Sequence, residues 1–297
     1  MNNNNIEIPL SGVQREIWPF KNELVKKNLV NKTNFIKISV VTISYNQATY
    51  LEGAIRSILL QNYPNIEYII IDGGSKDGSV EIIKKYQSFL KYWVSEPDKG
   101  PANALNKGLS HCEGEYFYYL NSDDIIEPGV FHFINEYIQI NSGYDIYYGH
   151  GYMTYGDIMD KFKIYSVKWN IVEYANHLIP IVQQSTFIKL STILKMGGFN
   201  EENRTQWDGE LLVDLHLLGA KFRRYNKHVC IFRVYPETIT GNSDKTKYHE
   251  DFNRINKKVF SNKEFIPKYK FILRLKQLIN DPLVSIKKIY THFFYLK

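Results

Sequence analysis

Residues 38–72 read ISVVTISYNQATYLEGAIRSILLQNYPNIEYIIID, and this stretch decides the fold class that the sequence predicts. Its β-branched start, Ile38–Ser44, has the composition of a short buried strand. Apolar residues recur at helical spacing within Tyr50–Gln61, and Glu67–Asp72 is again typical of a strand. A strand, a helix and a second strand in this order indicate a parallel sheet that is covered by helices on both faces.

The alternation continues to residue 120 and becomes less regular afterwards. Two more helices and two more strands are predicted in the regular part: Ser79–Tyr86, Leu90–Ser95, Pro101–Ser110 and Tyr116–Leu120. The later pattern predicts further elements at Asp145–Gly149, Phe162–Tyr165, Gln184–Lys189, Thr192–Met196, Asp208–Leu218 and Val229–Tyr235. From Tyr248 onward the pattern is helical and increasingly basic. The whole order is typical of an α/β protein.

The excess positive charge lies at the C-terminal end of the chain. The formal net charge is +6, and residues 263–297 contain eight Lys and Arg against two acidic residues, so the rest is balanced. A balanced body argues against nucleic-acid binding, whereas the tail is a candidate for contact with an anionic surface. Two cysteines indicate neither a disulfide framework nor a cysteine metal site. No signal peptide or apolar run of about 18 residues is recognisable, so we expect a cytoplasmic protein.

Polar clusters follow each of the first four predicted strands. In a parallel sheet, ligands bind beyond the carboxyl ends of the strands, so these clusters are expected to meet at one edge. Each cluster alone is also compatible with ordinary loop chemistry, but four at one edge favour a site. The clusters are Ser44-Tyr45-Asn46, Asp72-Gly73-Gly74-Ser75, Glu96-Pro97-Asp98-Lys99-Gly100 and Asn121-Ser122-Asp123-Asp124.

The adjacent acids Asp123 and Asp124 indicate a divalent cation. Two neighbouring carboxylates at the end of a buried strand repel each other, and a hard cation removes that repulsion. Magnesium and manganese are usually held by one or two carboxylates together with substrate phosphates, so a diphosphate is a natural co-ligand. The alternative interpretation is a solvated Asp-Asp turn.

Two other clusters suggest a nucleotide pocket. Tyr45 could stack on a base, and the Asp72 carboxylate could accept a hydrogen bond from a base N–H or a ribose hydroxyl. The glycines after Asp72 permit close backbone approach, but they match neither a phosphate-binding P-loop nor a dinucleotide fingerprint.

The order and spacing of three segments resemble the family 2 glycosyltransferases. These segments are SVVTISYNQATYLEGAIRSILLQNYPNIEYIIIDGGSKDGS, WVSEPDKGPANALNKGL and GEYFYYLNSDDIIEPG. The resemblance is dense over residues 37–130 and sparser to about residue 240. It implies a GT-A fold and a nucleotide-sugar donor, with a UDP-sugar expected. The N-terminal Ile17-Trp18-Pro19-Phe20 patch resembles an aromatic lead-in of a bacterial subset.

The resemblance implies roles for the donor side. Tyr45 matches the base-stacking residue and Asp72 an acidic nucleoside contact, although Gly73 stands where many relatives have a second acid. Asn103 stands where many relatives have Asp. Asp124 is the expected direct ligand of Mn²⁺ or Mg²⁺, with Asp123 as the ribose or sugar partner or a second ligand. The expected donor site comprises Ser44, Tyr45, Asn46, Asp72, Gly74, Lys99, Gly100, Asn103 and Asp123.

The acceptor side is expected in the second half of the chain. Transfer to a hydroxyl needs a general base, and the stretch around Asp208 resembles the family motif that carries it. Asp208 is therefore the predicted base, with an N-cap role as the alternative and Glu210 as the second candidate. Trp207 and Gln184 are predicted on the acceptor side. In two further motifs, Gln183 and Tyr235 stand where the family pattern has His.

The resulting prediction is an inverting, metal-dependent glycosyltransferase of bacterial surface-glycan assembly, acting on a glycan or lipid-linked acceptor. A nucleotidyltransferase and a non-catalytic carbohydrate- or nucleotide-binding module are the alternatives. The expected organisation is an extension at 1–36, a catalytic domain at 37–245 and a basic helical tail at 246–297. The domain divides into a nucleotide-sugar half at 37–130 and an acceptor half at 131–245. Residues 265–297 are expected either to contact the inner membrane face or to pack on the domain or on a partner in a homodimer.

Overall fold

The computed structural model describes residues 8–12, 17–21, 34–155, 158–176, 180–241 and 246–260, together with residue 282. The predicted contacts of the tail at 265–297, with a membrane or in a homodimer, therefore lie outside the described residues apart from that single position. Within the described ranges, no helix combines the length and the apolarity that a membrane span requires.

Strands and helices alternate through the first half, as the apolar pattern predicts. The strands are β1 Ile38–Ser44, β2 Ile66–Asp72, β3 Tyr92–Ser95, β4 Tyr116–Asn121, β5 Ile125–Ile126, β6 Ile146–Thr154, β7 Lys161–Ile164, β8 Phe187–Lys189 and β9 Phe222–Arg233. The α-helices are α1 Ala48–Leu59, α2 Ser79–Tyr86, α3 Pro101–Leu109, α4 Val130–Ile140, α5 Ile171–Ala175, α6 Leu190–Met196, α7 Trp207–Leu217 and α8 Thr246–Phe260. Short 3-10 helices cover Gln87–Phe89 and Gln183–Ser185.

One sheet joins these strands in the order β3-β2-β1-β4-β8-β6-β9-β5, with β7 paired to β6. Strands β1 to β4 pair in parallel, and the register sets Ser44 beside Asp72 and Ile43 beside Asn121. Their carboxyl ends therefore meet at one edge, as predicted. Strand β8 runs antiparallel to β4 and β6, so the second half is mixed rather than parallel.

Helices cover both faces of the sheet, because the strands direct apolar side chains to each face in turn. Val40 and Ile70 belong to the cluster that includes α1, α2 and α4, whereas Val41 and Ile71 pack with α3, α6 and α7 on the other face. A strand that is apolar on both sides is stable only when both faces are covered. The apolar side chains that β1 and β2 direct to both faces therefore explain the helices on the two faces.

The short strand β5 was not predicted, and it fixes the position of the segment Asn121-Ser122-Asp123-Asp124, here called the acidic loop. It pairs antiparallel with β9, which sets Ile125 opposite Ile231. Strand β9 also begins at Phe222, before the predicted start at Val229. Because β5 begins directly after Asp124, its pairing brings the acidic loop under the end of β9.

The N-terminal aromatic patch packs beneath the same loop. The Trp18 indole N–H donates to the Ile126 carbonyl at 2.9 Å, and Phe20 packs in the cluster around Ile125. The fully buried Arg56 guanidinium of α1 donates to the Pro19 carbonyl at 3.0 Å and also bonds the Pro9 carbonyl. The patch is therefore part of the framework that supports β5.

Helix α8 packs on α7 rather than standing apart from the rest of the fold. Phe252 and Ile255 are buried against Val213 of α7, and the buried Asp251 carboxylate accepts hydrogen bonds from the backbone amides of Arg204 and Thr205, both at 3.0 Å. The predicted boundary at residues 245 and 246 therefore does not coincide with a break in the packing.

Gly149 of β6 offers a test of how tightly the sheet packs. A Cβ at this position would lie 1.9 Å from Cε2 of the fully buried Tyr225 ring. We expect Gly149→Ala to lower the free energy of unfolding by about 1–3 kcal/mol, because the ring has no free space to move into. Denaturant unfolding measures this, with the exposed Ser142→Ala as control. Equal stability of the two variants would contradict the packing described.

Candidate functional site

A cavity of about 1150 Å³ opens at the carboxyl edge of the sheet, where both halves of the chain meet. Seven of the residues predicted from the sequence line it: Ser44, Tyr45, Gly100, Asp123, Gln184, Trp207 and Asp208. Seven others do not belong to its lining: Asn46, Asp72, Gly74, Lys99, Asn103, Asp124 and Glu210. Because parallel strands end at this edge, the cavity lies where α/β proteins bind ligands.

The two adjacent acids point in different directions. Asp123 lines the cavity, and its Oδ2 accepts a hydrogen bond from the Tyr235 hydroxyl at 3.0 Å. Asp124 is buried behind it and accepts from the Gln184 amide at 2.8 Å, the Arg233 backbone amide at 3.0 Å and Asn121 at 3.3 Å. Asp123 is therefore the carboxylate that a ligand in the cavity can reach.

Both acids carry raised pKa values. Burial raises the pKa of Asp124 well above its ordinary range, and the adjacent Asp123 carboxylate adds to the rise. Burial also raises the pKa of Asp123, while the Tyr235 hydroxyl and the Arg233 charge oppose it. A cation in the cavity would favour the ionised forms, because an opposite charge within a few Å stabilises a carboxylate.

The predicted base-stacking residue is accessible. Tyr45 follows β1 with 63% of its surface exposed, and it lies on the cavity wall. The neighbouring Ser44 hydroxyl is buried in the same wall, and none of the described residues hydrogen-bonds it. Asn46 adopts a left-handed conformation with φ 51° and turns its side chain to the Lys76 amide at 3.0 Å. Tyr45 and Ser44 are thus available to a ligand, whereas Asn46 shapes the turn.

Asp72 is not available in the same way. It is fully buried and accepts hydrogen bonds from the backbone amides of Gly74 and Ser75 and from the hydroxyls of Ser75 and Ser95, at 2.6–3.1 Å. A carboxylate that already accepts four hydrogen bonds has little capacity left for a ligand. Asp72 therefore organises the loop after β2, in which Gly74 has φ +83°.

The loop after β3 is held by its own polar groups. The backbone amide of Lys99 donates to Asn103 Oδ1 at 3.1 Å, and the Asn103 amide donates to Glu201 at 3.0 Å. Lys99 is exposed and does not line the cavity, whereas Gly100 does. Asn103, which stands where many relatives have Asp, thus connects this loop to the second half of the chain.

Asp208 lies in the first turn of α7, with Gln206 just before the helix. Three tyrosines surround it. Burial raises the pKa values of Tyr119, Tyr174 and Tyr248, and the nearby Asp208 charge raises each of them further. Burial also raises the pKa of Asp208 itself, while the backbone amides of Gly209 and Asp208 oppose the rise. A carboxylate with a raised pKa is a stronger proton acceptor than an ordinary aspartate.

The second candidate base, Glu210, is engaged elsewhere. It is fully buried, and its carboxylate meets the Lys258 ammonium at 2.6 Å and the amides of Asn200 and Asn203 at 2.9 and 2.6 Å. Burial alone would raise the pKa of Glu210, but the bonds from Lys258, Asn203 and Asn200 lower it. Glu210 therefore joins α7 to α8 rather than facing the cavity.

Two cavity residues, Tyr235 and Asp98, were not predicted in the roles that the structure gives them. Tyr235 follows β9 and contacts both Asp123 and, at 3.1 Å, Gln47. Asp98 lines the cavity beside Tyr45. These contacts join residues far apart in the sequence, so no local pattern indicated them. The only signal was that Tyr235 stands at a position where the family pattern has His, and that Asp98 lies in a polar cluster after a strand.

Among the described residues, no group of three or more His, Cys, Asp and Glu side chains is arranged to hold a metal ion. Proteins often hold magnesium or manganese with only one or two carboxylates, and substrate phosphates complete the coordination shell. Asp123, which lines the cavity, and Asp124 behind it match this small set of ligands.

Solved structures share the fold of this chain. Staphylococcus aureus TarS 1-349 in complex with UDP-GlcNAc superposes with a TM-score of 0.62 at 16% identity, covering 88% of this chain and 73% of that one. The mannosyltransferase PcManGT from Pyrobaculum calidifontis, in complex with GDP-Man and Mn²⁺, gives 0.59 at 17% identity, covering 87% and 74%. These similarities confirm the predicted α/β fold as GT-A.

The family follows from the sequence comparison. The family model for glycosyl transferase family 2 matches residues 39–192, more than half of the chain, so the chain belongs to this family. An uncharacterized glycosyltransferase of Mycobacterium tuberculosis is 40% identical over 88 residues, 29% of this chain and 34% of that protein. One of Haemophilus influenzae is 42% identical over 96 residues, 31% and 38%. The matches span about a third of the length of these relatives.

Glu210 yields a prediction on stability. We expect Glu210→Gln to lower the free energy of unfolding by about 1–3 kcal/mol at pH 7, because Lys258 loses its buried charged partner. The folded-state pKa of Glu210 is lowered, so its contribution is present above the unfolded pKa of about 4.3 and disappears as pH falls through the folded value. Chemical denaturation at several pH values measures the difference.

The matched control is Glu202→Gln, whose carboxylate is 82% exposed and pairs with Arg254 at 3.2 Å. An exposed pair contributes little, so this change should alter stability by less than about 0.5 kcal/mol. An equal effect of the two substitutions would contradict the structural role of Glu210.

Proposed function

We propose that the protein transfers a sugar from a nucleotide-diphosphate sugar to an acceptor hydroxyl with inversion at the anomeric carbon, using a divalent cation. The observation that carries this proposal is that Asp123 and Asp208, from the two halves of the chain, lie on the walls of one cavity. Asp123 can hold the leaving group through a cation, and Asp208 can accept the proton of the attacking hydroxyl. A single displacement, in which the hydroxyl attacks the anomeric carbon as the diphosphate leaves, inverts the configuration.

Asp208 is the proposed base because its surroundings suit proton abstraction. Its raised pKa, caused mainly by burial among aromatic side chains, brings it closer to the working pH of an enzyme. Glu210, by contrast, is paired with Lys258 and lies outside the cavity lining. Gln184 and Trp207 flank the same region. Gln184 bonds Asp124 and thereby positions the acidic loop, while Trp207 offers a ring surface to an acceptor sugar.

For the cation we assign the direct contact to Asp123 and the supporting position to Asp124, which reverses the order expected from the sequence. Asp123 faces the cavity, whereas Asp124 accepts three hydrogen bonds behind it. When bound, Mn²⁺ or Mg²⁺ would neutralise the negative charge that develops on the departing diphosphate. The chain's own part is to keep the Asp123 carboxylate oriented, through the Tyr235 hydroxyl and the loop anchored at Asp124.

The donor and acceptor classes are also proposed. The neighbours that share the fold bind UDP-GlcNAc and GDP-Man, and the accessible Tyr45 ring supports a nucleotide in the same place here. The cavity lining also contains the apolar side chains of Met153, Ile164, Ile181 and Phe232. Such a lining suits a glycan or lipid-linked acceptor with an apolar portion, and a role in surface-glycan assembly is consistent with it.

The alternatives receive less support from the site. A nucleotidyltransferase would place a basic, glycine-rich loop after β1, where this chain has Ser44-Tyr45-Asn46-Gln47. A non-catalytic binding module has no need for a carboxylate with a raised pKa in the first turn of α7 that lines the same cavity as Asp123.

The base assignment predicts both a mutational and a pH effect. Asp208→Asn should reduce metal-dependent hydrolysis of a UDP- or GDP-sugar about 10²–10⁴-fold, with water in place of the acceptor. In the unchanged protein, activity should fall as pH decreases through the raised pKa of Asp208, at a pH above the ordinary aspartate value of about 3.9. Release of the nucleoside diphosphate across a panel of sugar nucleotides measures both.

Asp214→Asn is the matched control, since Asp214 lies on the same helix and pairs with Lys258 at 2.8 Å outside the cavity lining. It should leave the rate within about twofold of the unchanged protein, as expected for a substitution that does not touch the cavity. Near-normal hydrolysis by a folded Asp208→Asn variant would show that another group is the base.

The cation assignment predicts a difference between the two acids. Asp123→Asn should weaken Mn²⁺-dependent binding of UDP about tenfold or more while the fold is retained, because Asp123 faces the cavity. Asp124→Asn should instead lower thermal stability, since its carboxylate joins β4, β9 and Gln184. Titration calorimetry with and without chelator, together with thermal unfolding, separates the two effects. Binding that is unchanged by chelator and by Asp123→Asn would exclude the proposed cation site.

A further inference from the structure

Two carboxylates lie near the proposed nucleoside pocket, and they differ in burial and in the number of hydrogen bonds that they accept. Asp72, expected from the sequence to contact the nucleoside, is fully buried and accepts four hydrogen bonds within its own loop and from Ser95. Asp98, on the loop after β3, is half-buried and lines the cavity. The question is which of them can meet a base that stacks on Tyr45.

Asp98 and Tyr45 both lie next to Gly73. Both contact the space in front of Gly73, where a Cβ would meet Asp98 Oδ2 at 2.7 Å and Tyr45 Cδ2 at 3.2 Å. The absence of a side chain at Gly73 is what lets the carboxylate and the ring approach each other.

The two oxygens of Asp98 are not equivalent. Oδ1 accepts a hydrogen bond from the Gly100 backbone amide at 2.6 Å, which fixes the orientation of the carboxylate. Among the described residues, no donor is bonded to Oδ2, the oxygen beside Gly73 and Tyr45. The site therefore presents an aromatic face and one oriented acceptor atom to the cavity.

We propose that Asp98, rather than Asp72, recognises the nucleobase of the donor and selects uracil or thymine. Their base edge carries one N–H between two carbonyls, which matches one free carboxylate oxygen. Guanine offers two adjacent donors and is best met by two free acceptor atoms. Adenine and cytosine present a ring-nitrogen acceptor at the equivalent place, which a carboxylate repels. This inference rests on the proposed function, because it assumes that a nucleotide occupies the cavity.

Binding of free nucleotides tests the proposal without knowledge of the sugar or the acceptor. Calorimetric titration of the full chain with UDP, GDP, ADP and CDP, each with Mn²⁺, should show UDP bound most tightly. Asp98→Asn should weaken UDP binding about tenfold or more and reduce its preference over ADP, since a charge-assisted hydrogen bond is lost. Glu96→Gln is the matched control, because this exposed carboxylate bonds only Lys107 among the described residues.

A rescue variant separates recognition from general damage. In Asp98→Asn, the further change Gly73→Asp places a carboxylate in the same space from the neighbouring loop, and Gly73 lacks the positive φ that would strain a side chain. The double variant should recover a preference for UDP over ADP. Gly73→Ala alone should weaken UDP binding, because its Cβ displaces the Asp98 carboxylate. Thermal unfolding of each variant confirms that it is folded.

The outcomes distinguish this inference from the proposed function. If the unchanged protein binds none of the four nucleotides, both are overturned. If it binds nucleotides but prefers GDP, ADP or CDP, or if folded Asp98→Asn keeps the full UDP preference, the role of Asp98 is overturned while a nucleotide-sugar transferase remains. A loss in Asp98→Asn that Gly73→Asp restores supports both.

Discussion

The buried carboxylate of Asp124 is the interaction on which the geometry of the site depends. Its two oxygens accept hydrogen bonds from the Asn121 side-chain amide at the end of β4, the Gln184 side-chain amide after β7 and the Arg233 backbone amide at the end of β9. A buried carboxylate without such partners would be strongly unfavourable. The requirement to satisfy it therefore ties three distant parts of the chain together at the edge where the parallel strands end.

This constraint explains why two adjacent and chemically identical residues behave differently. Asp123 and Asp124 lie in a tight turn between β4 and β5, which the Asp124 backbone amide closes by donating to the Asn121 carbonyl at 3.1 Å. In this turn the Asp124 side chain is buried and the Asp123 side chain lines the cavity. The Arg233 guanidinium then bonds the Asp123 carbonyl at 3.0 Å and lies 4.5 Å from the centre of the Tyr50 ring. The anchoring of one acid and the accessibility of the other are thus two results of one arrangement.

Much of the first half could be predicted, because its strands and helices follow local apolar patterns. Ser44, Tyr45 and Asp208 line the cavity, and the strand end and helix start on which they lie can be recognised locally in the sequence. The roles of Asp72 and Glu210 could not be judged in this way. Their availability depends on Ser95 and Lys258, which are distant in the sequence. The proposed role of Asp98 was not predicted because it depends on Gly73, a residue of another loop. The missing side chain of Gly73 leaves room for the Asp98 carboxylate near Tyr45.

The packing of α8 has a consequence for how the protein is made. Tyr248, His249 and Phe252 of this helix line the cavity, and Asp251 holds the turn that leads into α7. During synthesis the N-terminal part of a chain can fold first, so the parallel β1–β4 unit can form while the later wall is still absent. The complete cavity exists only after the residues near 260 have emerged from the ribosome. This wall is therefore the last part of the cavity to be synthesised, whereas the strand ends that also line it are made earlier.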